Sequence, residues 1–111
     1  MSEVKRDLSQ ESRIGILGLA FKPNSDDVRL SPSAQVINEL LNDGYLQITA
    51  YDPLAMESFD RLYGLPVAYA DSLEQLVEAC DCLILLTAWD EFKEQKKLLK
   101  NKKVYDFRYC L

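Results

Sequence analysis

The sequence contains no histidine and only three cysteines, which restricts the chemistry open to it. Without histidine a Cys-His zinc site is excluded, and Cys80 and Cys82 do not form a CxxC pair because Asp81 alone separates them. We therefore expect no metal site. An odd number of cysteines in a chain of 111 residues does not fit a secreted disulfide scaffold, so these two and Cys110 are expected to be reduced thiols.

Long apolar runs and a secretory signal are also lacking. The longest strongly apolar run, residues 82–88, is far shorter than the roughly 20 residues that a membrane-spanning helix requires. Residues 1–13 are charged and polar, without the apolar centre of a secretory signal. The sequence therefore predicts a cytoplasmic protein that does not enter a membrane.

Glycine is scarce, and its spacing excludes one common type of ligand site. Gly15 and Gly18 are three positions apart, so the first apolar run cannot contain GxGxxG, the dinucleotide-binding fingerprint. The net charge of −5 disfavours a nucleic-acid partner. The lysines of residues 93–103 are interpreted as a solvated helix face and its exit.

Apolar runs alternate with amphipathic stretches along the chain, which predicts strands joined by helices. The predicted strands are 14–19, 46–51, 82–87 and 103–107, with 66–69 as a brief edge strand or extended chain. Helices are predicted to start after Ser31, near Met56 and after Ser72, and a last helix is predicted with Asp90 as its N-cap. This order predicts an α/β fold: a Rossmann-like three-layer sandwich with a mostly parallel sheet of about five strands and helices on both faces.

The polar stretch 22–31 follows the first predicted strand and is expected to be a loop. In such sheets ligands bind beyond the carboxyl ends of the strands, near the point where the strand order reverses. Lys22 and Arg29 in this loop suit an anion, because lysine brings a mobile charge and arginine a planar fork. Alternatively, Asp27 and Arg29 merely pair and stiffen the loop.

Four segments together resemble one family. Residues 18–32, GLAFKPNSDDVRLSP, are similar to the signature GLAFKxxTDDxRxSP of the UDP-glucose/GDP-mannose dehydrogenase family. YDP at 51–53, TAWDEF at 87–92 and DFR at 106–108 resemble three further motifs of that family, in the same order. The resemblance is to its C-terminal, UDP-binding domain. It implies that residues 13–111 form a nucleotide-sugar-binding domain preceded by a tail, residues 1–12.

The family resemblance implies an activity and its partners. Members oxidise the C6 hydroxyl of a nucleotide sugar to the acid in two NAD-dependent steps. Their N-terminal domain carries the NAD fingerprint and the catalytic cysteine, and the domain resembled here holds the nucleotide. We therefore expect this chain to bind a UDP-sugar, to work with an N-terminal NAD-binding domain, and to neither bind NAD nor catalyse by itself. A homodimer is a further possibility.

The resemblance also assigns roles residue by residue. Lys22 matches a residue that contacts the substrate diphosphate or its sugar side, and Phe21 matches one that lines the same pocket. Arg108 matches an arginine that contacts the nucleotide. Arg29 matches the arginine that reaches the NAD side of the cleft. No cysteine of this chain matches the catalytic one, and Asp106 is interpreted as an orienting group.

Three positions depart from the family pattern. Ser25 stands where threonine is usual, Leu30 where glutamate is common, and Phe107 where glycine is frequent. Leu30 removes a charge from the rim of the loop, and Phe107 adds bulk where a backbone approaches a ligand. Trp89 and Phe92 are interpreted as core residues.

Two other functions are compatible with the sequence. The chain could be an interaction or oligomerisation module that kept the fold and lost catalysis. It could also be a receiver-like signalling domain with Asp26, Asp27 and Asp52 as its acidic residues. In a receiver-like domain the acidic pair directly follows the first strand. Here it lies eight residues after Gly18, which argues against this function. A magnesium titration distinguishes this function, and no binding is expected.

Overall fold

The computed structural model describes residues 8–108. Its strands are β1 (Ile14–Leu17), β2 (Ile48–Tyr51), β3 (Ala68–Tyr69), β4 (Cys82–Leu85) and β5 (Lys103–Asp106). Its helices are α1 (Pro32–Asn42), α2 (Met56–Tyr63), α3 (Leu73–Ala79), α4 (Asp90–Glu94) and α5 (Lys96–Leu99). No helix in this part of the chain is long and apolar enough to cross a membrane.

The five strands form one parallel sheet in the order β3-β2-β1-β4-β5. The chain moves from β1 towards one edge, returns across the sheet to β4, and continues to the other edge. With right-handed crossovers, α1 and α2 cover one face and α3, α4 and α5 cover the other. This confirms the predicted Rossmann-like sandwich, with every strand pairing parallel.

The core lies on both sides of the central strands. Every residue of β1 and β4 is buried, as their continuous apolar sequences predict. Cys80 and Cys82 are each only 1% exposed, and burial raises the pKa of the Cys82 thiol to about 12. Both therefore pack as core thiols, while Cys110 lies outside the described residues.

Two helix starts agree with the sequence prediction. Ser31 caps α1 by accepting the Ser33 amide, and proline occupies the first helical position. Ser72 caps α3 by accepting the amide of Gln75 at 3.1 Å. The Gln75 side chain accepts the amide of Asp71, one residue outside the position of a standard capping box.

The structure corrects the predicted start of the last helix. Trp89, not Asp90, is the N-cap residue of α4, and it makes no side-chain cap hydrogen bond. The Trp89 indole donates to the buried Asp52, which holds Trp89 extended at the helix entrance. The predicted single helix is also divided at Gln95 into α4 and α5.

Strand ends also differ from the predicted ones. β1 ends at Leu17 because Gly18 has a φ of 97°, and β2 begins at Ile48. Three neighbouring strands end at the same level, since Leu17 is paired with Tyr51 on one side and Leu85 on the other. The residues that follow these three strands therefore meet at one edge of the sheet.

The first described residues, 8–12, pack against this domain. The Gln10 side chain donates to the carbonyl of Asp43 at 2.6 Å, and the Gln47 side chain donates to the carbonyl of Glu11 at 2.9 Å. Leu8 packs against the core. Residues 8–12 of the predicted tail therefore contact the folded unit.

Gly18→Ala should destabilise the fold strongly. A Cβ at this position would lie 2.5 Å from Thr87 Cβ and 2.7 Å from the Thr87 backbone nitrogen, in a backbone conformation with positive φ. We expect a loss of about 2–4 kcal/mol in the free energy of unfolding, measured by urea denaturation. Gly64→Ala is the control: its φ is also positive, but the nearest atom is 3.9 Å away. That variant should lose only about 1 kcal/mol, and equal losses would contradict the steric argument.

Candidate functional site

The candidate site lies at the carboxyl edge of the sheet, where the loop after β1 emerges. The connection from β1 leads to β2 on one side, while β4 lies on the other, so this is the point where the strand order reverses. The predicted position of the 22–31 loop is confirmed. Between it and β1 lies the segment 18–21, whose residues Leu19 and Ala20 are fully buried without belonging to a strand.

One oxygen of the Asp52 carboxylate organises this segment. Asp52 is fully buried directly after β2, and its Oδ2 accepts the amides of Leu19 at 2.8 Å and Ala20 at 3.0 Å. The same oxygen accepts the indole N–H of Trp89 at 3.1 Å. A charged acceptor makes these hydrogen bonds stronger than neutral ones. The loops after β1 and β4 are thus both hydrogen-bonded to this carboxylate.

The other Asp52 oxygen fixes its own loop. Oδ1 accepts the amides of Leu54 at 2.9 Å and Ala55 at 2.8 Å, just before α2 begins. This is a local turn of the kind that aspartate favours. The carboxylate therefore uses both oxygens, and it joins the loops after β1, β2 and β4.

Buried hydroxyls satisfy the carbonyls of the same segment. The three bonds are Ser33 Oγ to Gly18 O at 2.6 Å, Ser31 Oγ to Leu19 O at 2.7 Å, and Thr87 Oγ1 to Ala20 O at 2.8 Å. The Gly18 amide donates to Tyr51 O and the Phe21 amide to Asp27 O. The buried backbone groups of 18–20 are thus paired, as the cost of an unpaired buried amide requires.

Sequence analysis did not identify Asp52 as part of the site. Asp52 entered only as part of the YDP family motif and as an acidic residue of the alternative receiver-like domain, with no role in holding loops together. The available signal was an aspartate directly after a buried strand, at the edge where the other loops emerge. Its partners could not be read from the sequence, since Asp52 is 33 residues from Leu19 and 37 from Trp89.

Phe21 and Lys22 project from this fixed base. The Phe21 side chain is 48% exposed, and Lys22 is exposed beside it. Hydrogen bonds from Arg29 are the main cause of the lowered pKa of Asp27, and the charge of Lys22 makes a smaller contribution. The loop therefore presents an aromatic ring and an ammonium group next to each other, at the edge where they were predicted.

Arg29 pairs with Asp27, as the structural alternative for this loop predicted. The Arg29 Nε and Nη2 donate to the two carboxylate oxygens of Asp27, each at 3.0 Å, and the Arg29 amide adds a third hydrogen bond of 3.0 Å. The Arg29 side chain nevertheless remains 81% exposed. Its predicted role on the NAD side of a cleft is compatible with this exposure and remains a prediction.

An open hollow of about 420 Å³ lies beside this pair, lined by Phe21, Asp27, Arg29 and Leu30. It brings together two of the predicted site residues. Lys22 and Arg108 do not line it. Leu30 is 86% exposed at a φ of 59°, an unusual conformation for a bulky residue. The departure from the family's common glutamate thus places an apolar side chain on the rim.

Arg108 lies at the same edge, just after β5. Its Nε donates to the carbonyl of Leu86 at 2.9 Å, and its amide donates to Asp106 Oδ1 at 3.0 Å. Asp106 therefore orients this turn, as interpreted from the sequence. Phe107 is partly buried and packs against the core.

Comparisons with known proteins show which family the chain belongs to. The model of the UDP-glucose/GDP-mannose dehydrogenase family, UDP binding domain, matches residues 15–111. The chain belongs to this family. It is 40% identical over 103 residues to the UDP-glucose 6-dehydrogenase of Rhizobium meliloti, covering 87% of this chain and 23% of that protein. It is 38% identical over 100 residues to UDP-glucose 6-dehydrogenase TuaD of Bacillus subtilis, covering 86% of this chain and 22% of that protein.

Solved structures lead to the same family. The UDP-glucose dehydrogenase of Pyrobaculum islandicum superimposes with a TM-score of 0.83 at 34% identity, over 97% of this chain and 24% of that chain. A UDP-D-ManNAc dehydrogenase from Pyrococcus horikoshii gives 0.71 at 28%, with the same coverage of both chains. The UDP-binding domain described here thus spans about a quarter of the length of these relatives.

No metal centre accompanies the site in the part of the chain that the structure describes. Among residues 8–108, no three side chains of His, Cys, Asp or Glu are grouped so that they could hold an ion.

The Asp27–Arg29 pair predicts a measurable titration. Hydrogen bonds from the Arg29 side chain and amide lower the pKa of Asp27 to about 2. Because the folded-state pKa lies below the unfolded one, the pair stabilises the folded loop above about pH 4, and this stabilisation is lost as the pH falls towards 2. Carboxyl carbon shifts followed by NMR should give that midpoint.

In Arg29→Ala the Asp27 midpoint should rise towards the ordinary aspartate value of about 3.9. Asp81 is an internal control, since Arg13 lowers its pKa to about 2 on the opposite edge of the sheet. An Asp27 midpoint that stayed low in Arg29→Ala, alongside an unchanged Asp81, would show that Arg29 is not the cause.

Proposed function

We propose that this chain binds the nucleotide half of a UDP-sugar at the carboxyl edge of its sheet. It does so as one part of an NAD-dependent nucleotide-sugar dehydrogenase, with an N-terminal NAD-binding domain as its partner. The observation that carries the proposal is the fixed segment 18–21. It presents Phe21 and Lys22 at the point where the strand order reverses, in a chain that belongs to this dehydrogenase family.

The groups at this edge suit a nucleoside diphosphate. Lys22 supplies a mobile positive charge for the diphosphate. Arg108 supplies a guanidinium whose Nε is held by Leu86 O at 2.9 Å, which orients the planar fork. Phe21 supplies a half-exposed ring against which a sugar or base can pack. We propose that these three side chains contact one bound nucleotide.

The residues after β1 do not fit NAD. A dinucleotide fingerprint needs glycines that let a pyrophosphate approach a helix start. Here the space above Gly18 is filled by Thr87, and fourteen residues separate β1 from α1. NAD therefore belongs to the partner domain in this proposal, and Arg29 faces it from the rim of the hollow.

Neither described cysteine suits nucleophilic catalysis. Cys80 and Cys82 are buried, and burial raises the pKa of each thiol, so neither forms a thiolate near neutral pH. The proposed division of labour places the catalytic cysteine on the NAD-binding domain. Residues 8–108 then contribute substrate binding to the reaction.

A second candidate function is a docking module that ignores nucleotides. Leu30 is 86% exposed and Phe21 48%, so the rim of the hollow is more apolar than an anion site requires. A protein partner could cover this rim. In the leading proposal the NAD-binding domain covers it, so the two functions differ in their response to nucleotide.

Isothermal titration calorimetry with UDP tests the proposal. The full chain should bind UDP, and Lys22→Ala and Arg108→Ala should each raise the Kd about tenfold or more, because each removes a charge-assisted contact with phosphate. Lys100→Ala and Arg13→Ala are matched controls. They remove the same charges near the amino ends of β5 and β1, at the opposite edge of the sheet, and should leave the Kd unchanged.

The result with unmodified protein decides between the two functions. No heat with UDP, together with dimerisation in size-exclusion chromatography that nucleotide does not change, would overturn the proposal and favour the docking module. An equal loss of affinity in the control variants would indicate general electrostatic attraction and no defined site.

A further inference from the structure

We propose that Asp52 is a positioning residue for the ligand site. Its buried carboxylate holds the loop that carries Phe21 and Lys22 in register with the loop that anchors Arg108. The identity of the ligand in this inference rests on the proposed function. The positioning itself rests on hydrogen bonds within this chain: those of Asp52 with Leu19, Ala20 and Trp89, and the one that joins Leu86 to Arg108.

The two amides that Asp52 holds lie next to the ligand groups along the chain. Asp52 Oδ2 accepts the amides of Leu19 and Ala20, which directly precede Phe21 and Lys22. With two consecutive amides held at 2.8 and 3.0 Å, the direction in which the chain continues is fixed. A lysine two residues further on therefore starts from a defined Cα position.

Asp52 is also connected to Arg108, near the far end of the chain. Trp89 donates to the same Oδ2, and it ends the segment 86–89 that follows β4. The first carbonyl of that segment, Leu86 O, accepts the Arg108 guanidinium. Thr87 in the middle donates to Ala20 O. Lys22 and Arg108 are thus connected through Asp52 and this one short segment.

The chemistry of the group at 52 matters because all of its donors are N–H groups. Four backbone amides and one indole point at the two oxygens. Asparagine has the same shape, but one oxygen becomes an NH₂ group that cannot accept. Whichever way the amide turns, at least two of these N–H groups lose their acceptor. The connection therefore requires the two accepting oxygens of a carboxylate, and a side chain of the same volume is not sufficient.

The experiment compares Asp52→Asn and Trp89→Phe with the unmodified full chain. Two quantities are measured: the Kd for UDP by calorimetry, and the hydrogen exchange rates of the Leu19 and Ala20 amides by NMR. Both variants should exchange these two amides faster. Both should raise the Kd about tenfold while Lys22 and Arg108 are still present, because the two groups no longer hold a fixed separation.

Two controls separate positioning from stability. Tyr51→Phe removes the neighbouring hydrogen bond from the Tyr51 hydroxyl to Glu91 without touching the Asp52 network, and should bind UDP normally. Ile37→Ala destabilises the buried face of α1 and should lower the melting temperature while leaving the Kd unchanged, provided that the protein stays folded. Trp89→Phe keeps the aromatic packing, so it remains informative if Asp52→Asn does not fold.

The outcomes are distinct. Faster exchange together with a raised Kd in Trp89→Phe, against normal binding in both controls, supports the inference. An unchanged Kd with faster exchange would overturn it and leave Asp52 a purely structural residue. If the unmodified chain binds no UDP, the proposed function fails. The hydrogen exchange rates of the Leu19 and Ala20 amides then test the positioning by themselves, and unchanged rates in Trp89→Phe would overturn the positioning role of Asp52 as well.

Discussion

The carboxyl edge of this sheet depends on one buried anion. Removing the Asp52 carboxylate from water is costly, and the five N–H groups that point at its oxygens offset that cost. These donors come from the loops after β1, β2 and β4. Each of those loops leaves a strand and loses the regular pairing of the sheet, so each has amides in need of an acceptor. A single carboxylate supplies it and brings the three loops to one place.

The consequence for the candidate site is a rigid base under an exposed surface. Residues 18–20 are irregular but buried and fully paired, with hydroxyls of Ser31, Ser33 and Thr87 on their carbonyls. Phe21 and Lys22 begin where this base ends. Groups that are held in place before a ligand arrives lose less entropy on binding, which favours affinity at a small number of contacts. The fold thus combines a fixed scaffold with an open, charged edge.

Family membership and geometry agree on the kind of domain this is. The chain matches about a quarter of the length of its relatives, and its first loop lacks the glycine spacing of a dinucleotide site. Arg29 is already paired with Asp27, whereas Lys22 and Arg108 lie on loops joined through the residues after β4. Leu30 stands where the family motif commonly has glutamate, and its side chain is 86% exposed on the rim of the hollow.

The sequence by itself determined the α/β alternation, the caps at Ser31 and Ser72, and the family, because each is recorded in neighbouring residues or in a contiguous motif. Only the tertiary structure decided that β1 ends at Leu17, that Trp89 is the N-cap residue of α4, and that Asp52 organises the edge. Asp52 lies 33 residues from Leu19, and Thr87 lies 67 from Ala20. Hydrogen bonds over such separations form only when parallel strands end side by side, and no local periodicity encodes them.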